Sequence, residues 1–446
     1  RWRDRYHDIE RVVEGVETYD EEDERQPAFF EEGSGDVGDG DQAVRAELTW
    51  PPGHMGNLAK AVYQSSDYPN KTVSIVTALG LVAGIAGRRF NINGTGCNLY
   101  ITLLMDTGMG KSVIDSFIGK IMSDANILSG QGMFQGKRRY TGPKALMEEL
   151  SHKRCFVSVF TEAGFMFKSK SGDQSGLTRT ILDLYTKSGY GEIMQEEAYS
   201  DSKNNIPAVV SPCFSMVNES TPDVFLQALK DGTQTGEITR MHIFRVDKRG
   251  KVNRNKSYEI PDSLLDKVKG LMDRCNKTQQ VDDPDVSNFD MRPEMWEFID
   301  QCDEDYEAFK HEDPIRAKML TRSGIKTCKI AALCSIMNYC GDKGQRHGLS
   351  IGKAEWNWAK SLHDHEISGL EEFFTVEGED DYYDIIFSSV YPKIKGMMQL
   401  KYKDKKLQPS RSDIKTNKIP KSMLFRAIRS IPAVKRLSQK KFGKPG

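Results

Sequence analysis

The sequence predicts an α/β protein: a largely parallel sheet covered by helices, then an all-helical region, then a small basic module. Three observations carry this. Between residues 99 and 246, apolar runs that read as buried strands alternate with amphipathic runs that read as helices. From about residue 260 to 375 only the helical period persists. Charge is also segregated: residues 1–48 hold 16 Asp/Glu against 6 Lys/Arg, and residues 393–446 hold 17 Lys/Arg against 2 Asp/Glu. The net charge of −1 hides this polarity, which points to a polyanion partner at the tail, or else to a solvated basic tail.

In chain order, residues 1–48 read as an acidic flexible linker, Gly-rich and without periodicity. The start, RWRDRYHDIERVV, has neither initiator Met nor signal-peptide core, so the chain reads as part of something longer. Residues 49–98 form a helical N-terminal collar, with helices at His54–Ser65 and Thr72–Gly87 and a hairpin around Gly94-Thr95-Gly96. Residues 99–256 form the α/β core, with strands at Tyr100–Met105, Cys155–Phe160, Ser211–Val217 and Met241–Val246. Helices fall at Pro143–Ser151, Leu177–Thr186 and Asp223–Lys230, and two strand-like stretches flank the tip Ser200–Asn205. Residues 257–376 form a helical lid, and 380–446 a basic module whose helix spacing fits a winged-helix or helix-turn-helix unit. No apolar run reaches the ~18–20 residues of a membrane span. The eight cysteines form no C-x-x-C pair and no zinc spacing, which suits reduced thiols in a cytoplasmic protein.

The chemistry centres on Leu99–Ser112, LYITLLMDTGMGKS. Strand, glycine turn, Lys-Ser, helix is the order of a phosphate-binding P-loop. Its glycines let backbone N–H groups curl around phosphates, and the helix N-terminus adds its positive end. Thr107, Gly108 and Gly110 would form the cradle, Lys111 would reach the β/γ-phosphates of ATP, and Ser112 would bind Mg²⁺. Met105 stands where the motif has its first glycine, and the strand is expected to tolerate Met105→Gly. Hydrolysis further needs a carboxylate, a γ-phosphate sensor and a cation for the transition state. Glu162 closes the strand CFVSVF as the candidate base, and Thr161 stands beside it as a holder of a Mg²⁺-bound water. Asn218 ends the next strand as the sensor candidate, with Thr221 capping the following helix. Arg240 begins the last strand as a candidate arginine finger, or an ordinary surface arginine. Arg322 and Lys326 share a helix face that reads as solvated, or as a second cationic sensor.

The order NLYITLLMDTGMGKS, FVSVFTEAGF, SPCFSMVNESTPDVF, GEITRMHIFRVD, SGIKTCKIAALCSI resembles, over roughly residues 50–370, one family. It is similar to the phage- and plasmid-encoded P-loop ATPases, long known as a domain of unknown function, grouped with replicative primase–helicases. The resemblance implies an AAA+ or RecA-like core in a homo-oligomeric ring, expected to be hexameric, that hydrolyses ATP with Mg²⁺ and acts on single-stranded or forked DNA. A bacterial host cytoplasm is the expected location and an upstream primase or polymerase module the expected neighbour. Gly110, Lys111, Ser112, Glu162, Asn218 and Arg240 fall on the family's motifs, with Met105, Thr161 and the Asn218-Glu219 pair as departures. DNA-contact candidates are Lys203 at the tip Tyr199–Asn205, which a ring would bring around one strand, and Arg411, Lys415, Arg426 and Arg429 in the tail. An AAA+ loader of another protein and a nucleotide-gated DNA-binding scaffold are the rival expectations.

Overall fold

The computed structural model describes residues 48–126, 134–161, 173–196, 205–225, 235–257, 259–279, 281–310, 314–339 and 349–370, with 17–19 and 418–420. The chain divides into two units, Val44–Glu371 and a second made of Arg1–Ala43 with Glu372–Gly446. In the second, β1 (Glu17–Tyr19) pairs in parallel with a strand at Lys418–Pro420. The stretch read as linker therefore holds a strand at its Glu-Thr-Tyr, where a β-branched and an aromatic residue adjoin. The expected helices of the tail module lie outside the described residues.

The larger unit begins with α1 (Gly53–Ser65) and α2 (Lys71–Ala86). Asn70 caps α2 through its side chain, which accepts from the Val73 N–H at 3.1 Å. Nearly every residue of α2 is buried, and its glycines explain how it seats. A Cβ on Gly80 would lie 2.5 Å from Val217, and one on Gly84 2.6 Å from Val157, so the helix backbone rests directly on the sheet. Next come β2 (Phe90–Ile92) and β3 (Thr95–Gly96), an antiparallel hairpin. Its turn is Asn93-Gly94, both at positive φ, one residue before the expected glycine cluster.

The central sheet follows. Its strands are β4 (Tyr100–Met105), β5 (Cys155–Phe160), then, after the short antiparallel pair β6 (Ile193–Met194) and β7 (Val209–Val210), β8 (Cys213–Ser220) and β9 (Met241–Val246). The order across the sheet is β5-β8-β4-β9, all parallel, and Gln135 bridges to Val157 at the β5 edge. Helices α3 (Ser112–Asn126), α4 (Pro143–His152), α5 (Asp173–Thr186) and α6 (Thr235–Arg240) connect the strands. The chain leaves β4 towards β5 on one side and returns from β8 to β9 on the other. That makes the carboxyl end of β4 the switch point, where open α/β sheets bind ligands.

Helices α7 (Asp262–Asn276), α8 (Pro293–Phe309), α9 (Pro314–Leu320), α10 (Ser323–Tyr339) and α11 (353–370) complete the unit. Among them β10 (Ser287–Phe289) pairs in parallel with β2, a strand in a region that reads as wholly helical. Three residues are too few to show a period of two. The helix α10 is buried from Lys326 through Asn338, so Lys326 is not solvated, and Arg322, half-buried at positive φ, stands just before the helix. Collar, sheet and lid regions share one hydrophobic core, running from Leu58 and Leu79 through Ile101 and Val217 to Ile330 and Leu362.

Candidate functional site

The carboxyl end of β4 opens into the loop 106–111, after which α3 begins. Gly108 and Gly110 have φ of 82° and 91°, the left-handed region that favours glycine. A Cβ on Gly110 would also lie 3.0 Å from the Tyr68 carbonyl oxygen, so loop and α1–α2 turn touch there. Met109, buried, anchors the loop from below, while Ser112 is exposed at the start of α3. Met105 is fully buried in the core. The expectation that glycine would be tolerated at Met105 is therefore corrected: the position is core, and glycine would leave a cavity.

A cavity of about 590 Å³ lies over the loop. One wall is the loop itself, from Thr107, Gly108, Gly110, Lys111 and Ser112. A second comes from the ends of β5 and β8: Thr161, Glu219, Ser220 and Thr221. The third is Asp67 with Tyr68. Glu219 is 4% exposed and lines the cavity. Burial pushes its carboxyl up to about 7, against the pull of Lys111 and with a small push from Asp115. Asp115 itself pairs with Arg138. Lysine, the glycine-loop backbone and a helix N-terminus beside one cavity make a seat for a polyanion. The Ser112 and Thr161 hydroxyls and the Glu219 carboxyl on the cavity walls also suit a hard cation that keeps most of its waters. Among the described residues no cluster of three or more His, Cys, Asp or Glu is placed to hold a metal by itself.

Of the residues singled out in the sequence, Thr107, Gly108, Gly110, Lys111, Ser112 and Thr161 meet at this cavity. Asn218 does not line it. The strand runs on through Ser220, so Asn218 lies inside the sheet, fully buried, with Nδ2 donating to Thr102 Oγ1 at 3.4 Å. Glu219, one residue on, takes the position facing the cavity. Arg240 ends α6 at the amino end of β9, where it donates to the Gly236 carbonyl at 2.9 Å and the Thr186 hydroxyl at 3.3 Å. It stands about 20 Å from the cavity, one strand length away. Lys326 Nζ donates to the Met241 carbonyl at 2.8 Å and faces Glu366 at 3.7 Å. Glu162, Lys203, Arg411, Lys415, Arg426 and Arg429 lie outside the described residues.

Glu219 and Tyr68 escape sequence reasoning. An acid closing the apolar run of β8 is the signal that points to Glu219, once the strand is extended through Ser220. Tyr68 carries no such signal, because only the fold brings it against Gly110. Among the described residues no helix is long and apolar enough to cross a membrane. No protein-family model matches the chain, and no curated protein is similar to it.

Proposed function

We propose that the chain is a Mg²⁺-dependent ATPase working at the cavity over Gly108–Ser112, and that it is the DNA-stimulated motor of a ring-forming replicative helicase. One observation carries the ATPase reading: the glycine loop, Lys111, the start of α3 and the buried Glu219 converge at the switch point of a parallel sheet. Loop N–H groups and Lys111 would hold the β- and γ-phosphates, and Ser112 and Thr161 would hold the cation. Mg²⁺, when bound, supplies charge neutralisation on the phosphate oxygens. Glu219, which lines the cavity, and Glu162, carried from the sequence reading, are the two candidates to take the proton of an attacking water. A carboxyl near 7 suits that role, since it exchanges a proton close to neutral pH. Arg240 sits too far from its own cavity to touch a phosphate there, so its use as a finger requires a neighbouring subunit. The DNA-motor part rests on the motif resemblance and on the basic tail.

Phosphate release measured with and without single-stranded DNA tests both parts. Lys111→Ala is expected to abolish turnover while DNA stimulates the wild type; equal rates in Lys111→Ala would overturn the ATPase reading. A wild-type rate indifferent to DNA would overturn the motor. Comparing Glu219→Gln with Glu162→Gln assigns the base, whose loss should slow turnover by about 10²-fold. For Arg240, mixing Arg240→Ala with Lys111→Ala subunits should restore part of the activity, and no rescue in rings shown to mix would make it structural.

A further inference from the structure

The third wall of the cavity has a chemistry of its own. Tyr68 is half-buried in the turn between α1 and α2, and the segment 247–257, leaving the end of β9, is laced to that turn. The Asn253 N–H donates to the Asp67 carbonyl at 2.9 Å, Asn253 Nδ2 to the Gln64 carbonyl at 3.0 Å, and Lys256 pairs with the Asp67 carboxylate at 2.7 Å. The Arg249 guanidinium lies 3.7 Å from the centre of the Tyr68 ring. An aromatic ring braced by a cation thus stands on the β9 side of the loop. Glu219 and Thr161 stand on the other side, at the ends of β8 and β5, because β4 lies between β8 and β9.

A triphosphate lying along the loop has two ends of unlike chemistry. The terminal phosphate wants hydroxyls, carboxyl and cation, which the β8/β5 side supplies. The nucleoside wants a flat apolar surface, and Tyr68 is the one aromatic residue lining the cavity among the described residues. Resting on the reading of this cavity as a nucleoside-triphosphate site, we propose that Tyr68, held in place by Arg249, is the platform on which the nucleobase stacks, and that it selects purines over pyrimidines. The larger ring system covers more of the platform. The guanidinium contact fixes the ring before the ligand arrives, so less freedom is lost on binding.

Calorimetric titration of the full chain in Mg²⁺, with a non-hydrolysable ATP analogue, its CTP counterpart and inorganic tripolyphosphate, tests this. The wild type should bind the ATP analogue about tenfold more tightly than either other probe. Tyr68→Leu, which keeps bulk without a π-face, should bring the ATP analogue down to the level of tripolyphosphate and leave tripolyphosphate unchanged. Tyr68→Phe should behave as wild type. Arg249→Ala, an exposed change that spares the core, should weaken only the two nucleotides. Tyr68→Leu weakening ATP analogue and tripolyphosphate alike would make Tyr68 a brace for Gly110 and overturn the proposal. So would equal wild-type affinity for the ATP and CTP analogues. Failure of the parent reading looks different: tripolyphosphate binding that survives Lys111→Ala, or is absent from the wild type, removes the phosphate site itself.

Discussion

Two glutamates are buried at opposite ends of the same sheet, and burial alone would push both carboxyls up. Glu366, 3% exposed, reaches the amino end of β9, where His242 Nδ1 lies 2.7 Å from one oxygen and the Ile243 N–H donates to the other at 2.8 Å. Burial raises it, but Lys326 and His242 outweigh burial and hold it down at about 2. Glu219, 4% exposed at the carboxyl end, has Lys111 near, and burial wins, leaving it at about 7. Lys329 is likewise engaged by the protein, its Nζ donating to Asn98 Oδ1 at 2.6 Å beneath the Tyr185 ring, although burial still draws it down to about 8. The amino end uses its charges to hold the fold together, whereas at the carboxyl end Lys111 and Glu219 both line the cavity. A buried carboxyl whose protonation is shifted at the wall of a cavity is a candidate functional group, whereas one held by ion pairs inside the core is architecture.

The largest expected effect breaks the architectural end. Lys326→Met leaves Glu366 with His242 and the Ile243 N–H but no lysine, and should lower unfolding free energy by roughly 3–5 kcal/mol in urea titrations. A loss under about 1 kcal/mol would show the network to be dispensable. Stability from Glu366 should also fade as pH drops from the ordinary carboxylate range towards 2, because its folded value is depressed. Next in size is Met105→Gly, expected to destabilise by about 3 kcal/mol or more through the cavity and the freed backbone. A neutral result would return the position to the loop.

Glu219 has the opposite sign. Its folded value lies above the unfolded one, so stability falls as pH rises from about 4.5 to 7 and the penalty is complete above that. Glu219→Gln should therefore be more stable than wild type at pH 8, by an amount on the order of 3 kcal/mol, and equal to it at pH 4. Thermal melts of the two proteins across that range check it, and a constant difference would sink the assignment. Smallest is Gly108→Ala. No atom lies within 4 Å of the added methyl, so only the left-handed backbone resists, at about 1 kcal/mol. A larger loss would show that the loop is packed, not open.

Much of the frame was legible in the residues. The strands β4, β5 and β9 are continuous apolar runs between turn signals, and their expected limits coincide with those observed. The strand β8 ends in polar Asn-Glu-Ser, which reads as a turn but stays in the ladder with β4. That shift of three residues exchanges Asn218 for Glu219 at the cavity. Lys326 on α10 reads as solvent-facing because charge normally is, and nothing local announces Glu366 beside it. The third wall was illegible for a different reason: Tyr68 and Arg249 are brought together only by the return of the chain through β9.

The seating of α2 has a mechanical meaning. At Gly80 and Gly84 the helix puts no side chain between its backbone and the valines of the sheet, so the contact lacks the cushion of rotamers that lets ordinary packed layers slide. Pressing the helix closer meets hard repulsion from Val157 and Val217 at once, and rocking it lifts a whole turn off the strands. Sheet and helix behave as a stiff plate. Bending of this unit is therefore expected in the loops at the rim of that plate.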